Sequence, residues 1–474
     1  MSIDVSVVVP VHNPGRYIRP LLDSLDRQTL AADRLEVVFV DDGSTDGTAD
    51  ALDEWAAQRA NVIVVHQENH GWPGQPRNVG IDRSCGTYIQ FVDQDDWLAD
   101  DALERLLDYA IENDSDVVVG KMVGVDRTVP IEVFRRSIPR ADVVADGLHS
   151  TQTPHKMFRR AFLDRIGLRF PEGKRRLEDH LFVTTAFLRA DVVSVYADTD
   201  CYFHTGRPDR GNAGFRRYDP VQYYSNLEEV LDVIDECLPD AAERDRYVSR
   251  WIRIELSGRA RSPDARLPRA EREVFYREIS RVMRQRIPLS AVRSMAMNHR
   301  LAAVLLRHAS MEEFARIDKL ANAVRVRATA DDDAVRLTAT CRGRVLAPDL
   351  ALSEFLAESA PPSLVDAVLA DLGGDDDVLP ARVSLVRTDG RHVLTRVPGT
   401  ALYRGSVAAQ DGDAVQVRSL VGLRDVTVGA GSAKPTRRLI THRVRRGMRR
   451  VVERLGVQRR RSARGRREDG PDTD

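Results

Sequence analysis

Four short runs of this 474-residue chain place acids, amides and an arginine where they can act together. The first pairs Val9-Pro10-Val11-His12-Asn13 with Val40-Asp41-Asp42-Gly43-Ser44-Thr45-Asp46, each closing an apolar run. A carboxylate there can accept the imide N–H of a uracil ring, with Pro10 flanking the base. The ordinary reading of the second segment is a turn, with Asp46 capping a helix. The next run, Asn69-His70-Gly71-Trp72-Pro73-Gly74-Gln75-Pro76-Arg77-Asn78, is a Gly/Pro-shaped loop opening onto a helix. A helix N-terminus favours anions, and an arginine in its early turns suits a diphosphate. In Phe91-Val92-Asp93-Gln94-Asp95-Asp96-Trp97, Asp93 and Asp95 sit one residue apart at a strand end and can hold a hard divalent cation, although a lone Asp-x-Asp is more commonly a solvated turn. Last, Arg176-Leu177-Glu178-Asp179-His180 leads into the apolar helix of Phe182, Val183, Ala186 and Phe187. Its acids either complement a helix dipole or supply a general base.

The elements that must position these runs are read from hydrophobic periodicity. Val5–Val9, Leu35–Val40, Val62–Val65, Tyr88–Val92 and Val117–Val119 are buried-strand runs. Between them Ile18, Leu21, Leu22 and Leu25, and later Leu103, Leu106 and Leu107, recur at helical spacing. Such alternation predicts an α/β fold with a mostly parallel sheet covered by helices, whose ligands sit outside the carboxyl ends of the strands. Residues 1–215 are assigned to this domain. Residues 216–328 read as a helical linker domain, with Leu227, Val230, Leu231 and Ile234 on one face and Phe275, Ile279, Val282 and Met283 following. Over 329–432 period-two alternation (Val335, Leu337, Ala339, Cys341) between turn signals predicts a small C-terminal β-sandwich.

Composition narrows the function class. Four scattered cysteines with no Cys-x-x-Cys pair argue against a disulfide scaffold and a cysteine-built zinc site. No apolar run approaches a membrane span, and the first ten residues lack the pattern of a secretory signal. The net charge of −1 is a cancellation: residues 434–467 carry +14, residues 468–474 carry −4, and residues 1–433 carry −11. Within the tail, 433–474, Ile440, Val444, Met448, Val451, Val452 and Leu455 recur at helical spacing among arginines. The bland reading is a solvated charge run. The apolar stripe favours a basic amphipathic helix on an anionic membrane surface. Nucleic acid is the competing partner of such a tail, but no aromatic is interleaved there for base stacking.

Taken in this order and in these strand contexts, the four motifs resemble those of family 2 glycosyltransferases of the GT-A fold. Gly74-Gln75-Pro76-Arg77-Asn78-Val79, Phe91–Asp96, Lys121-Met122-Val123-Gly124-Val125, Phe170-Pro171-Glu172 and Glu178-Asp179-His180-Leu181-Phe182 narrow the likeness to bacterial wall teichoic acid enzymes that add N-acetylglucosamine to poly(ribitol phosphate). The resemblance covers roughly residues 4–215, and more weakly the helical linker and the β region. It implies that Pro10, Asp42 and Asn69 hold uridine and that Arg77 contacts the uracil or diphosphate. Asp93 and its neighbour Gln94 are then substrate-binding, Glu172 and Arg207 lie at the donor sugar and diphosphate, Asp95 ligates Mn²⁺ or Mg²⁺, and Asp179 is the catalytic base. Beyond Arg207 the chain departs from the family pattern, with Arg210-Gly211-Asn212 where a His-x-Ser is expected. His204 and His180 read as structural histidines and are left out of the site. Trp72 and Trp97 flank the motif loops as sugar-stacking faces or as hydrophobic anchors.

The expected function is therefore inverting, metal-dependent transfer of a sugar from a UDP-sugar to a cell-envelope polymer, a polyol phosphate or a glycan. The expected location is the cytoplasm, at the inner face of the membrane. By analogy with C-terminal trimerisation modules the expectation extends to a homo-oligomer. The alternative from another class is an inactive GT-A scaffold that binds carbohydrate at the membrane; the intact acids argue against it.

Overall fold

Val, Ile and Phe runs that are apolar on both sides are best buried as inner strands of a sheet covered on two faces. Val5–Val11, Leu35–Asp42, Tyr88–Phe91 and Val117–Gly120 fold that way here, whereas the run at 62–65, expected to be a buried strand, lies at the sheet edge with Ile63 exposed. The computed structural model describes residues 3–209, 217–264, 266–331, 334–342, 344–346 and 350–373, and strands at 382–387, 390–396, 402–404, 414–419 and 422–427. The basic segment 434–467 and Arg210-Gly211-Asn212 lie outside the described residues. Among the described residues no helix is long and apolar enough to cross a membrane. The chain divides into two compact units, one of Met1–Met295 with Ala302–Ala315, the other of Ala296–Leu301 with Arg316–Asp474.

The first unit runs β1 (Val5–Val11), α1 (Arg19–Leu25), β2 (Leu35–Asp42), α2 (Thr48–Ala56), β3 (Val62–Gln67), α3 (Gly74–Arg83), β4 (Tyr88–Phe91), β5 (Trp97–Leu98), α4 (Ala102–Glu112), β6 (Val117–Gly120), β7 (Met122–Val125), β8 (Met157–Arg159), α5 (Arg160–Arg165), α6 (Glu178–Arg189), β9 (Val193–Tyr196) and β10 (Tyr202–Thr205). The main sheet has the order β3-β2-β1-β4-β8-β6-β9. All its pairings are parallel except those of β8 with β4 and β6. Because β1, β2 and β4 are parallel neighbours, their carboxyl ends share one edge, and the polar residues after them meet there. Each residue of β1 and β2 is buried. Helix α3 crosses directly over β1: a Cβ on Gly80 would sit 2.2 Å from Val8 Cγ1, so only glycine fits. A second, three-stranded sheet, β5-β10-β7, holds the segment after β4.

The same unit continues into helices α7 (Pro220–Cys237), α8 (Ala241–Trp251), α9 (Ser257–Arg261), α10 (Arg269–Gln285) and α11 (Leu289–Arg293); α12 (Met297–His308) and α13 (Met311–Asn322) follow, each with residues in both units. Helix α7 starts where Asp219 Oδ1 accepts the Gln222 N–H at 2.8 Å, an N-cap in the usual sense. Its buried face is the predicted stripe of Leu227, Val230, Leu231 and Ile234. One turn of π-helix, Ile252–Leu256, follows α8 and buries Glu255. Burial alone would raise the pKa of that carboxyl; Arg259 and other cations outweigh it and hold it at about 2.

In the second unit the alternating runs form an antiparallel sheet of β11 (Val324–Asp331), β12 (Ala334–Cys341), β13 (Arg344–Val345), β14 (Arg382–Arg387), β15 (Gly390–Arg396), β16 (Leu402–Arg404), β17 (Ala414–Ser419) and β18 (Gly422–Thr427). The described strands belong to one sheet, ordered β11-β12-β16-β15-β14-β17-β18 with β13 on β12. Two helices, α14 (Leu352–Ala357) and α15 (Pro362–Leu372), stand between β13 and β14, where an all-β region was expected. Leu352, Phe355 and Leu356, then Leu364, Val365, Val368 and Leu372, are their buried faces, at helical spacing.

Candidate active site

The carboxyl ends of β1 and β2 are tied together by side chains. Asn13, with φ at +47°, accepts the Thr45 N–H at 2.7 Å, and Ser44 Oγ accepts the Asn13 N–H at 3.0 Å. Asp42 is buried, and Oδ1 accepts from the His70 N–H (2.9 Å) and Gln67 Nε2 (2.7 Å) while Oδ2 accepts from the Gly71 N–H (3.2 Å). The Asp42 carboxylate thus shapes the loop that carries Asn69, whose Nδ2 lies 3.1 Å from His12 Nδ1. Gly43 has φ +70°, and a Cβ there would meet the Asn69 backbone nitrogen at 3.0 Å. Pro10 is buried in β1 beside Val40. Gln94 commits its amide to the end of β1: Oε1 accepts the His12 N–H at 2.7 Å, and Nε2 donates to the His12 carbonyl at 3.2 Å.

Arg77 joins the acidic runs. It is 3% exposed, donates from Nη2 to Asp93 Oδ1 at 2.8 Å, sets Nη1 3.6 Å from Glu178 Oε1 and lies over the Phe170 ring. Burial works against its charge, but Asp93 and Glu178 raise its pKa on balance. Burial likewise opposes ionisation of Asp93; His155, 2.9 Å away, and Arg77 hold that carboxyl well below its usual range. The next acids go the other way. Burial, then Asp93, pushes Asp95 up to about 6, against the opposing pull of Arg207. Asp96 is raised well above the carboxylate range by burial, Asp93 and Asp95. Its Oδ2 accepts from the Tyr202 hydroxyl at 2.6 Å and its Oδ1 from the Thr205 N–H at 2.7 Å, which pins the run onto β10.

Opposite this run stands the start of α6. Leu177 precedes it in the left-handed region (φ +64°), and Glu178 and Asp179 occupy the first turn. Asp179 is half-buried, and its Oδ1 accepts the His180 N–H at 2.9 Å. Burial raises its pKa, which strengthens it as a proton acceptor. Glu172 is exposed and takes Asn78 Nδ2 at 3.2 Å. Asn78 also clasps the Phe170 backbone, donating to its carbonyl and accepting its N–H, both at 2.8 Å. Arg207 lies over the Tyr17 ring at 4.2 Å and grips Asp209 with two nitrogens.

Arg77 is thus in direct contact with Asp93 and faces Glu178, a link not foreseen from the sequence. Two residues absent from the sequence reading sit beside them, His155 and Lys156. Lys156 is 1% exposed, donates to the Thr153 carbonyl at 2.5 Å and is brought down to about 7 by burial, with Asp179 pulling the other way. The signal for both was a His-Lys pair at the entry of a strand, in a stretch without periodicity. Among the described residues, Asp96, His155 and His204 each place a ligand atom within 4.8 Å of the others. His204, set aside as structural on sequence grounds, therefore belongs to a group able to hold a metal. Trp97 is an anchor, stacked on Phe203 at 3.7 Å.

The family model for glycosyl transferase family 2 matches residues 6–177. Residues 6–177 are a family 2 glycosyltransferase domain. The model for the glycosyl transferase TarS linker domain matches residues 220–318, downstream of the family 2 domain. A poly(ribitol-phosphate) beta-glucosyltransferase of Bacillus spizizenii is 35% identical over 232 residues, covering 48% of this chain and 36% of that protein. The poly(ribitol-phosphate) beta-N-acetylglucosaminyltransferase TarS of Staphylococcus aureus is 36% identical over 253 residues, 53% of this chain and 44% of that one. The chain thus spans less than half the length of these curated relatives. The structure of S. aureus TarS 1–349 in complex with UDP-GlcNAc superposes with a TM-score of 0.62 at 26% identity, covering 73% of this chain and 99% of that one. The family 2 domain and the helices after it therefore have the α/β GT-A architecture with its helical linker.

Proposed function

We propose that this protein is an inverting glycosyltransferase that moves N-acetylglucosamine from a UDP-sugar to a hydroxyl of a polyol-phosphate polymer of the cell envelope, such as teichoic acid. The observation that carries the reading is the buried Arg77, which binds Asp93 on the nucleotide side and Glu178 beside Asp179. One positively charged link between the strand-end acids and the first turn of α6 supports a donor site and a base facing one reaction centre. In the reaction Asp179 takes the proton of the acceptor hydroxyl. That oxygen forms a bond to the anomeric carbon as the bond to the UDP oxygen breaks, and UDP leaves. A single displacement turns an α-linked donor into a β-linked product. Pro10, Asp42 and Asn69 hold the uridine, and Gln94 keeps the end of β1 in register with the acidic run. Arg207 and Glu172 face the diphosphate and the donor sugar.

The acids fit a divalent cation. Asp95, forced up by burial and by Asp93, sits where negative charge is in excess, and its ligands are hard oxygens suited to Mn²⁺ or Mg²⁺. Asp95 would hold the ion, with the Asp96–His155–His204 group as further donors. When bound, it supplies charge neutralisation for the departing UDP. The basic tail holds the enzyme on the inner, anionic face of the membrane, where envelope precursors are assembled.

The test is UDP release with a panel of UDP-sugars and poly(ribitol phosphate), in Mn²⁺ or Mg²⁺ and in chelator. The panel must include UDP-glucose as well as UDP-N-acetylglucosamine, since the two relatives differ in the sugar their names specify. Full activity in both Asp179→Asn and Asp95→Ala would overturn the mechanism.

A further inference from the structure

A pocket of about 210 Å³ opens on the segment just before Glu178 and the start of α7. Among the described residues its lining has four cations, Lys174, Arg175, Arg176 and Arg217, and one acid, Asp219. Arg175 is paired with Glu229 and Arg217 with Glu271. Asp219 is committed to capping α7. Three lining residues stack on one another: the Arg176 guanidinium lies over Trp72 at 5.2 Å and over Tyr218 at 5.0 Å. Both walls are fixed. Trp72 is 8% exposed, and Tyr218 receives a 2.6 Å hydrogen bond from Arg259, whose other nitrogens hold Tyr223 and Glu255. Asn226 Nδ2 donates to the Arg176 carbonyl at 3.0 Å, fastening the loop to α7. Lys174 is exposed at the rim.

A rigid, planar guanidinium, Arg176, beside the exposed cation Lys174 suits an oxyanion with two equivalent oxygens, as in a phosphodiester. Arg176 fills the gap between the two rings, so no aromatic slot is open for a nucleobase. The lining shares no residue with the strand-end set Asp42, Asn69, Arg77, Asp93 and Asp95, yet Arg176 lies only three residues before Asp179. We propose that this pocket is a subsite for a phosphodiester of the acceptor polymer, in the stretch next to the hydroxyl that receives the sugar. The inference rests on the acceptor class proposed above. It adds that the enzyme reads the charged backbone of its acceptor through Arg176 and Lys174, between walls set by Trp72 and Tyr218.

The experiment is calorimetric binding of a short ribitol-phosphate oligomer to the full chain, with UDP titrated separately. The wild type binds the oligomer, inorganic phosphate competes, and neutral ribitol does not. Arg176→Gln weakens oligomer binding by about tenfold or more, the scale of one lost hydrogen bond to a charged group. Lys174→Gln, a surface change that leaves the fold alone, gives a smaller loss of the same kind, and Arg176→Lys falls between wild type and Arg176→Gln. UDP affinity is the same in all of them. Unchanged oligomer affinity in both Gln variants overturns the subsite, as does a parallel loss of UDP affinity, which would assign the pocket to the donor. A wild type that fails to bind the oligomer also overturns it, even if sugar is transferred to some other acceptor. Conversely, a chain that binds the oligomer through Arg176 but releases no UDP from any donor refutes the transferase reading and leaves the subsite standing.

Discussion

At the scale of single residues, the site separates its carboxyl groups by environment. Asp93 is held ionised by Arg77 and His155 beside it, while Asp95, Asp96 and Asp179 are pushed towards protonation by burial. The proposed base has the direction of shift that proton abstraction needs. Asp179→Asn should therefore lower kcat for UDP release by roughly 10²–10⁴-fold with KM for the donor near wild type, measured in steady state. Asp95 carries a separate consequence. In chelator its folded pKa is about 6 against an ordinary 3.8, so the unfolded state loses this proton at lower pH than the folded state. Its charge then costs stability above pH about 6, a cost that fades as pH falls towards 4. Asp95→Asn should accordingly melt at a higher temperature than wild type at pH 7.5 in chelator, and the gap should close by pH 4. A gap that is constant with pH would rule out titration of Asp95 as its source.

At the scale of elements, glycine positions decide how closely the supports approach one another. A Cβ on Gly74 would sit 2.6 Å from the Pro171 carbonyl oxygen, and one on Gly80 would overlap Val8. Gly80→Ala should destabilise the fold by about 1–3 kcal/mol in denaturant unfolding, the usual cost of overpacking a core. Gly74→Ala should displace the 170–172 loop from α3, and a raised donor KM with little loss of stability is the expected reading. These elements also show what was legible beforehand. The inner strands were, because four of the five apolar runs can hardly be placed elsewhere, and with them came the positions of Asp42, Asp93 and Asp179 at strand or helix ends; the run at 62–65 was read as buried but stands at the open edge of the sheet. The antiparallel insertion of β8 was not. Its three residues carry no period, and the partners that make Met157 and Phe158 a central strand, β4 and β6, are distant in sequence. His155 and Lys156 were lost with it. Helices α14 and α15 were missed because the alternating runs around them set the expectation for the whole region. Gln94 and Asp96 were legible as chemistry, but their bonds to His12, Tyr202 and Thr205 depend on packing that spacing does not encode.

At the scale of the whole molecule, charge is unevenly distributed, with −11 over residues 1–433 and +14 over 434–467. If the tail is the anchor, truncation after residue 433 should abolish co-sedimentation with vesicles rich in anionic lipid, and added salt should do the same to the intact chain. Each arginine near such a surface contributes about 1 kcal/mol. UDP release in solution should survive the truncation. Equal sedimentation with neutral and anionic vesicles would remove the tether. Within the first unit, the pairing of Arg77 with both Asp93 and Glu178 has a consequence for how such a sequence can change over generations. A buried cation shared by two carboxylates cannot be replaced alone without stranding Glu178 and leaving Asp93 to His155. The acids cannot be neutralised alone without stranding the arginine. Drift at these three positions is therefore confined to concerted exchanges, and a descendant that abandoned sugar transfer would shed the peripheral residues of the site well before this trio.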